Sequence, residues 1–113
     1  MTLKPLLRRS LLLLMLGLSS LAWAADVTWI DVRTPEEFSQ KHVPDAVNIP
    51  YDRIGDEIAA LNLDKDSTIY VYCHSGRRAG IAKETLDAMG YTHVVNKGGV
   101  DDALAEVAKA AQQ

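Results

Sequence analysis

The only cysteine of the chain opens a short segment that could carry out nucleophilic chemistry. Cys73 follows a β-branched and aromatic run and precedes an amphipathic stretch, so the chain is expected to pass from strand to loop to helix here. A loop in that position directs its backbone N–H groups and the positive end of the helix dipole toward its own centre. The predicted surroundings of the sulfur therefore favour the thiolate, which is the nucleophilic form of cysteine.

The side chains of this loop add positive charge and allow a tight turn. Arg77 and Arg78 provide two cations where the helix is expected to begin, and Gly76 permits backbone angles that a Cβ would hinder. His74 is interpreted as a residue that lines the loop, because adjacent side chains rarely point at each other. A buried structural cysteine is the alternative, but it would need neither the glycine nor the arginines. The loop is therefore interpreted as an activated cysteine beside an anion site.

The composition argues against several other functions. One cysteine and three scattered histidines show no metal-ligand spacing, so neither a metal nor a cofactor is expected. No Cys-x-x-Cys pair is present for dithiol redox chemistry. Three of the 12 basic residues and none of the 15 acidic residues lie in the first 24 positions, which leaves 9 basic and 15 acidic residues and a net charge of −6. This charge disfavours nucleic acid and anionic membranes as partners.

The N-terminal residues follow a pattern that is typical of a secretory signal peptide. Basic residues precede the apolar run from Leu11 to Leu18, and Ala22-Trp23-Ala24 matches an A-x-A cleavage site. The apolar run is short for a membrane span, and a retained anchor is the alternative. We therefore predict a signal peptide over residues 1–24 and a single domain over residues 25–113. An unpaired thiol invites unwanted pairing in an oxidising compartment, so its presence suggests that it is used.

Strand and helix patterns alternate along the predicted domain. The expected strands are Thr28–Val32, a very short one before Pro50, Ile69–Tyr72 and Tyr91–Val95. The expected helices are Pro35–Gln40, one with Ile54, Ile58 and Leu61 as its buried stripe, one with Ala79, Ala82, Leu86 and Met89 on one face, and one from Val100. This alternation predicts an α/β domain with a mainly parallel sheet and helices on both faces. Cys73 would then lie at the carboxyl end of a strand, where such sheets bind ligands.

Several polar residues have predicted structural roles. Thr34 and Glu37 have the spacing of a capping box at the start of the first helix. Arg33 is expected to pair with Glu36 or Glu37, and Asp52 is expected to cap the second helix. The pair of glycines before the last helix is expected to form a tight turn.

Several short motifs follow one another along the chain, namely Asp31-Val32-Arg33, Glu36-Glu37-Phe38, the segment from His42 to Pro50, the loop from Cys73 to Arg78, and Gly98-Gly99. In their order and spacing, these motifs resemble those of single-domain rhodaneses. The resemblance covers essentially the whole predicted domain and implies a rhodanese-like fold.

The resemblance also implies a chemistry, namely transfer of sulfur from thiosulfate to cyanide or another thiophilic acceptor such as a thiol. Cys73 would be the catalytic residue, which attacks the outer sulfur of thiosulfate, releases sulfite and becomes a persulfide. The residues implied to bind the donor are His74, Ser75, Gly76, Arg77 and Arg78. Together with the signal peptide, the resemblance implies a periplasmic enzyme, which we expect to be a monomer.

Two functions outside catalytic sulfur transfer are alternatives. Cysteine phosphatases of a related fold use a Cys-x5-Arg loop, but the sixth residue after Cys73 is Ala79, so the last arginine of the loop comes one position early. The shorter loop suits one sulfur atom better than the oxygens of a phosphate. Non-catalytic interaction or sulfur-carrier modules usually lose the cysteine or the basic residues, and this chain keeps both.

Overall fold

Four parallel strands form the sheet of the computed structural model, which describes residues 27–112. The strands are β1 (Val27–Asp31), β2 (Val47–Asn48), β3 (Thr68–Cys73) and β4 (His93–Gly99), and their spatial order is β2-β1-β3-β4. The helices of this part of the chain are α1 (Pro35–Gln40), α2 (Ile54–Glu57), α3 (Arg77–Ala88) and α4 (Val100–Ala111), and a 3-10 turn over Ile58–Leu61 follows α2. The predicted α/β class and parallel sheet are confirmed.

The two faces of the sheet are covered by different helices, as predicted. Side chains alternate between the faces along a strand, so Ile69, Val71 and Cys73 of β3 join the core with α2 and α3. Tyr72 points the other way and packs with Val100 of α4. This alternation places the cysteine side chain on the face covered by α3, the helix that follows it.

The described residues do not include the predicted signal peptide, residues 1–24. Within residues 27–112, no helix is both long enough and apolar enough to cross a membrane.

The capping box at the start of α1 is confirmed, but the predicted partner of Arg33 is wrong. Thr34 Oγ1 accepts the N–H of Glu37, and a Glu37 carboxylate oxygen accepts the N–H of Thr34. Arg33 pairs with Asp31 instead, with Nη2 2.7 Å from Oδ2 and both side chains buried. Asp31 is fully buried, whereas Glu36 is exposed and Glu37 is partly exposed. A buried carboxylate without a cation would be strongly destabilising, which accounts for the pairing of Arg33 with Asp31.

The predicted cap of the second helix is also wrong. Asp52 lies in a turn that is closed by the N–H of Arg53 on the carbonyl of Pro50, and Arg53 occupies the N-cap without a side-chain hydrogen bond. The expected helix is split, because the chain changes from α to 3-10 geometry after Glu57. Ile54 and Ile58 are nevertheless buried in the core, as the predicted stripe required.

The last strand and α3 end at positions that differ from those predicted. Gly98 and Gly99 belong to β4 and do not form a separate turn. Val71 pairs with Asn96 but Cys73 pairs with Gly99, so β4 holds one extra residue, as in a β-bulge. Met89 was expected on the buried face of α3, but the helix ends before it and its side chain is 37% exposed. The bulge brings Gly99 beside the cysteine.

Candidate active site

The sulfur of Cys73 is held by backbone N–H groups at the start of α3. The nitrogen of Gly76 lies 2.9 Å from Sγ and the nitrogen of Ala79 lies 3.4 Å from it. The first N–H groups of a helix have no partner within the helix, so the N–H of Ala79 is free to point at the sulfur. Cys73 itself is only 1% exposed. The arrangement suits a sulfur atom that carries negative charge, because helix N-termini bind anions in this way.

The loop around the sulfur depends on left-handed backbone at one glycine and on a brace from β4. Gly76 has a φ of 95°, a conformation that favours glycine. The side-chain amide of Asn96 donates to the carbonyl of Gly76 at 2.9 Å and accepts the N–H of Gly98 at the same distance. Asn96 thus ties the turn of the loop to the neighbouring strand.

Gly99 allows the backbone of β4 to approach the loop closely. A Cβ at this position would lie 2.3 Å from the carbonyl oxygen of His74, a distance that real Cβ atoms essentially never show. The register of the sheet also places Gly99 opposite Cys73. The loop can therefore occupy its observed position only because residue 99 has no side chain.

The two arginines of the loop have different surroundings. Arg78 forms two hydrogen bonds with the carboxylate of Glu37, at 2.9 and 3.0 Å. The hydrogen bond with Arg78 is the main cause that lowers the pKa of Glu37 to about 2, and the same bond raises the pKa of Arg78. Attraction to Cys73 contributes further to the raised pKa of Arg78. Arg77 is exposed and forms no ion pair with any residue between 27 and 112.

A cleft of about 290 Å³ adjoins the loop, between the end of α1 and the start of α4. His74 connects the cleft to the loop, and Arg33 and Glu37 also line it. The ammonium group of Lys41 lies 2.7 Å from a carboxylate oxygen of Asp101 and joins the two sides. Both of these side chains are well exposed, at 52% and 83%, so the contact lies at the mouth of the cleft.

The predicted site residues lie together in one loop with different degrees of burial. Cys73 is buried at the carboxyl end of β3, His74, Ser75 and Arg77 are exposed, and Gly76 and Arg78 are partly buried. In the described part of the chain, no group of three metal-ligating side chains lies close together.

Sequence reasoning missed three residues that shape the site. The sequence predicts a capping box and a pairing with Arg33 for Glu37, it predicts a tight turn for Gly99, and it predicts no role for Asn96. The paired glycines were a signal that the backbone passes close to another segment. No local signal marked Asn96 or the contact between Glu37 and Arg78, because these contacts join segments far apart in the sequence.

Comparison with known proteins identifies the family. The sequence model of the rhodanese-like domain family matches residues 17–106. Thiosulfate sulfurtransferase PspE of Escherichia coli K12 is 48% identical over 95 residues, which cover 84% of this chain and 90% of that protein. Thiosulfate:glutathione sulfurtransferase of Saccharomyces cerevisiae is 32% identical over 79 residues, which cover 60% of this chain and 57% of the yeast protein.

The solved structures include a similar protein, a rhodanese with anions from E. coli. It has a TM-score of 0.65 and 51% sequence identity, and the match covers 67% of this chain and 89% of that one. The family match and the similarity to PspE both extend over most of the chain, and the described fold agrees with them. The chain therefore belongs to the rhodanese-like domain family.

Proposed function

We propose that this protein is a thiosulfate sulfurtransferase that carries the transferred sulfur as a persulfide on Cys73. The observation that carries the proposal is the pair of N–H groups, from Gly76 and Ala79, that point at the sulfur of Cys73. The proposal is also supported by the names of the relatives from E. coli and yeast, both of which are thiosulfate sulfurtransferases. The related E. coli rhodanese was solved with anions, which fits a donor that is itself an anion.

In the first step the thiolate of Cys73 attacks the outer sulfur of thiosulfate. A bond forms between Sγ and that sulfur, the sulfur–sulfur bond of thiosulfate breaks, and sulfite leaves with the bonding electrons. The terminal sulfur of the persulfide keeps one negative charge, so the charges balance. The loop residues from His74 to Arg77 contact the donor, and Arg78, whose terminal nitrogens are bound to Glu37, adds positive charge from a fixed position. A charged hydrogen bond between Arg77 and the dianion contributes about 1.5–3 kcal/mol where water is excluded and less where it is not.

In the second step a thiophilic acceptor removes the sulfur. Cyanide attacks the terminal sulfur, the bond to Sγ breaks, and Cys73 returns to the thiolate as thiocyanate leaves. A thiolate acceptor follows the same course and leaves as a persulfide. We propose that thiol acceptors approach through the cleft beside His74, which adjoins the loop.

Intact-mass spectrometry tests the chemistry directly. We expect thiosulfate to add the mass of one sulfur atom to the protein, and cyanide to remove it with an equal amount of thiocyanate. Cys73→Ser should gain no mass and should keep the fold, because this side chain forms no disulfide. An unchanged mass of the wild-type protein, with the thiol shown to be free by alkylation, would overturn the proposal.

We also propose that residues 1–24 are removed on export and that residues 25–113 act in the periplasm. The support is the basic start, the apolar run and the A-x-A site of the sequence. The family match begins at residue 17, before the proposed boundary. Sequencing the N-terminus of protein recovered from the periplasmic fraction should give Ala25 first. Protein that starts at Met1 and stays with the membrane would show that the segment is an anchor.

A further inference from the structure

The contact between Glu37 and Arg78 joins the first helix to the helix that carries the sulfur-binding N–H group. Glu37 lies in α1 and Arg78 is the second residue of α3, 41 residues later. Nη1 of the arginine contacts one carboxylate oxygen and Nη2 contacts the other. The side chains are 32% and 22% exposed, so the pair is partly shielded from water. A two-point contact of this kind fixes orientation as well as distance.

Glu37 is itself held in place from the side of α1. One of its carboxylate oxygens, Oε1, accepts hydrogen bonds from the backbone nitrogen and the hydroxyl of Thr34, both at 3.1 Å. The carboxylate therefore has little freedom to follow Arg78. The ion pair anchors the arginine to a helix whose N-terminus is already capped.

The anchored arginine lies next to the residues that contact the sulfur. Arg78 directly precedes Ala79, whose N–H points at Sγ of Cys73. Nη1 and Nη2 of the guanidinium are held by Glu37, so this edge of the group cannot bind a donor without breaking the contact. Its positive charge still acts on the nearby sulfur from a fixed position.

We propose that Glu37 is a positioning residue for sulfur transfer, which acts by fixing Arg78 and with it the first turn of α3 against the sulfur of Cys73. This inference rests on the proposed function, because it assigns Glu37 a part in forming the persulfide. It differs from two simpler roles of the pair. In one the ion pair only stabilises the fold, and in the other Arg78 is a direct ligand of the donor that Glu37 holds back.

The variant Glu37→Gln separates the contact with Arg78 from the cap of α1. Glutamine at this position preserves a capping box, so the start of the helix stays capped while the charge is lost. Glu36→Gln is the matched control, because Glu36 is the exposed neighbour on the same helix and its side chain forms no hydrogen bond or ion pair with the other residues of the described range 27–112. Arg78→Gln and the double variant complete the cycle.

The measurement is the rate of persulfide formation in a single turnover, over a range of thiosulfate concentrations. We expect Glu37→Gln to lower the maximal rate about tenfold, with less than about a threefold change in the concentration that gives half of it. Arg78→Gln should lower the maximal rate by at least as much, and adding Glu37→Gln to it should change that rate less than about twofold, because Glu37 acts through Arg78. Glu36→Gln should match the wild type. All rates are compared well below the melting temperature of each variant.

Three outcomes would overturn the inference while the wild type forms its persulfide normally. An unchanged maximal rate in Glu37→Gln would mean that the ion pair between Glu37 and Arg78 only stabilises the fold. A lower half-saturating concentration of thiosulfate in Glu37→Gln would mean that Arg78, once released, binds thiosulfate directly. Losses that multiply in the double variant would mean that Glu37 acts independently of Arg78. Absence of the persulfide in the wild type would instead remove the proposed function, and this inference with it.

Discussion

At Gly99 the absence of a side chain decides where the loop that follows Cys73 can lie. The backbone of this residue is so close to the carbonyl oxygen of His74 that a Cβ would lie 2.3 Å from it. Gly80 offers a contrast on α3, because a Cβ there would make an ordinary contact, 3.6 Å from the amide nitrogen of Asn96. The surrounding structure therefore leaves room for a Cβ at residue 80 but not at residue 99.

Alanine substitution should separate the two positions. We expect Gly99→Ala to lower the free energy of unfolding by about 1–3 kcal/mol, the usual cost of overpacking, and to slow persulfide formation because the loop must move. Gly80→Ala should leave the rate unchanged and stabilise the protein by up to about 1 kcal/mol, since alanine favours helix. Urea denaturation and single-turnover assays measure the two effects. Similar behaviour of the two variants would mean that the close approach at Gly99 does not constrain the loop.

The sequence was enough to predict the place of a residue when the residues that it contacts are close to it in the sequence. Cys73, Gly76 and the arginines are adjacent in sequence, so strand, turn and helix patterns were enough to place them in one loop. Thr34 and Glu37 are three apart, and the capping box was predicted correctly. The contact between Arg33 and Asp31 spans only two residues, but it was missed because it depends on the complete burial of Asp31, which appears only once the sheet is covered on both faces.

At the scale of secondary-structure elements, the ion pair between Glu37 of α1 and Arg78 of α3 should weaken at acidic pH. The pKa of Glu37 is lowered from its usual 4.5 to about 2, mainly by the hydrogen bond with Arg78. A carboxylate with a lowered pKa in the folded state stabilises the fold fully above the unfolded pKa. This contribution is lost as the pH falls from about 4.5 toward 2.

Glu37→Gln should remove this part of the acid dependence. Near neutral pH we expect the variant to be less stable than the wild type by about 1 kcal/mol, a modest value because both side chains are partly exposed to solvent. The difference should shrink as the pH is lowered from 4.5 toward 2, where the wild-type carboxylate takes up its proton. Urea denaturation at several pH values measures it, with Glu36→Gln as the control. A stability difference that stays constant through this range would contradict the assignment of the low pKa to the ion pair.

The element boundaries were predicted less well where tertiary contacts set them. The strand expected to end at Val95 continues to Gly99, because the bulge keeps β4 paired with β3 as far as Cys73. Asn96 lies in this continuation and braces the loop through its side-chain amide. Neither feature has a pattern of its own in the sequence, since both depend on the register between two strands.

Across the whole molecule, the parallel sheet gathers the site at one edge. The carboxyl ends of β1, β3 and β4 contribute Arg33, Cys73 and Gly99 in turn, and α1 and α4 rise on either side of the cleft. The alternation of strands and helices was enough to predict that Cys73 lies at this edge, at the carboxyl end of a strand. The cleft itself could not be predicted, because its walls come from α1 and α4, which lie far apart in the sequence. An ion pair between Lys41, at the end of α1, and Asp101 of α4 joins these walls.

The ion pair at the mouth of the cleft should control access by acceptors according to their size. Cyanide is small enough to pass beside the contact between Lys41 and Asp101, whereas a thiol as large as glutathione requires the contact to open. We therefore expect Lys41→Ala and Asp101→Ala each to speed discharge of the persulfide by glutathione about threefold, with cyanide discharge unchanged. Lys83→Ala is the control, because it removes a similar exposed ion pair on α3.

The two variants distinguish a steric effect from an electrostatic one. Glutathione carries net negative charge, so loss of Lys41 would weaken its attraction to the cleft and loss of Asp101 would strengthen it. If charge decides, the two substitutions change the glutathione rate in opposite directions, and added salt reduces both changes. If the contact acts as a barrier, both substitutions raise the glutathione rate. Added salt then also raises this rate in the wild type, because it weakens the ion pair between Lys41 and Asp101. Rates that do not change with either variant would show that thiol acceptors reach Cys73 by a route outside this cleft.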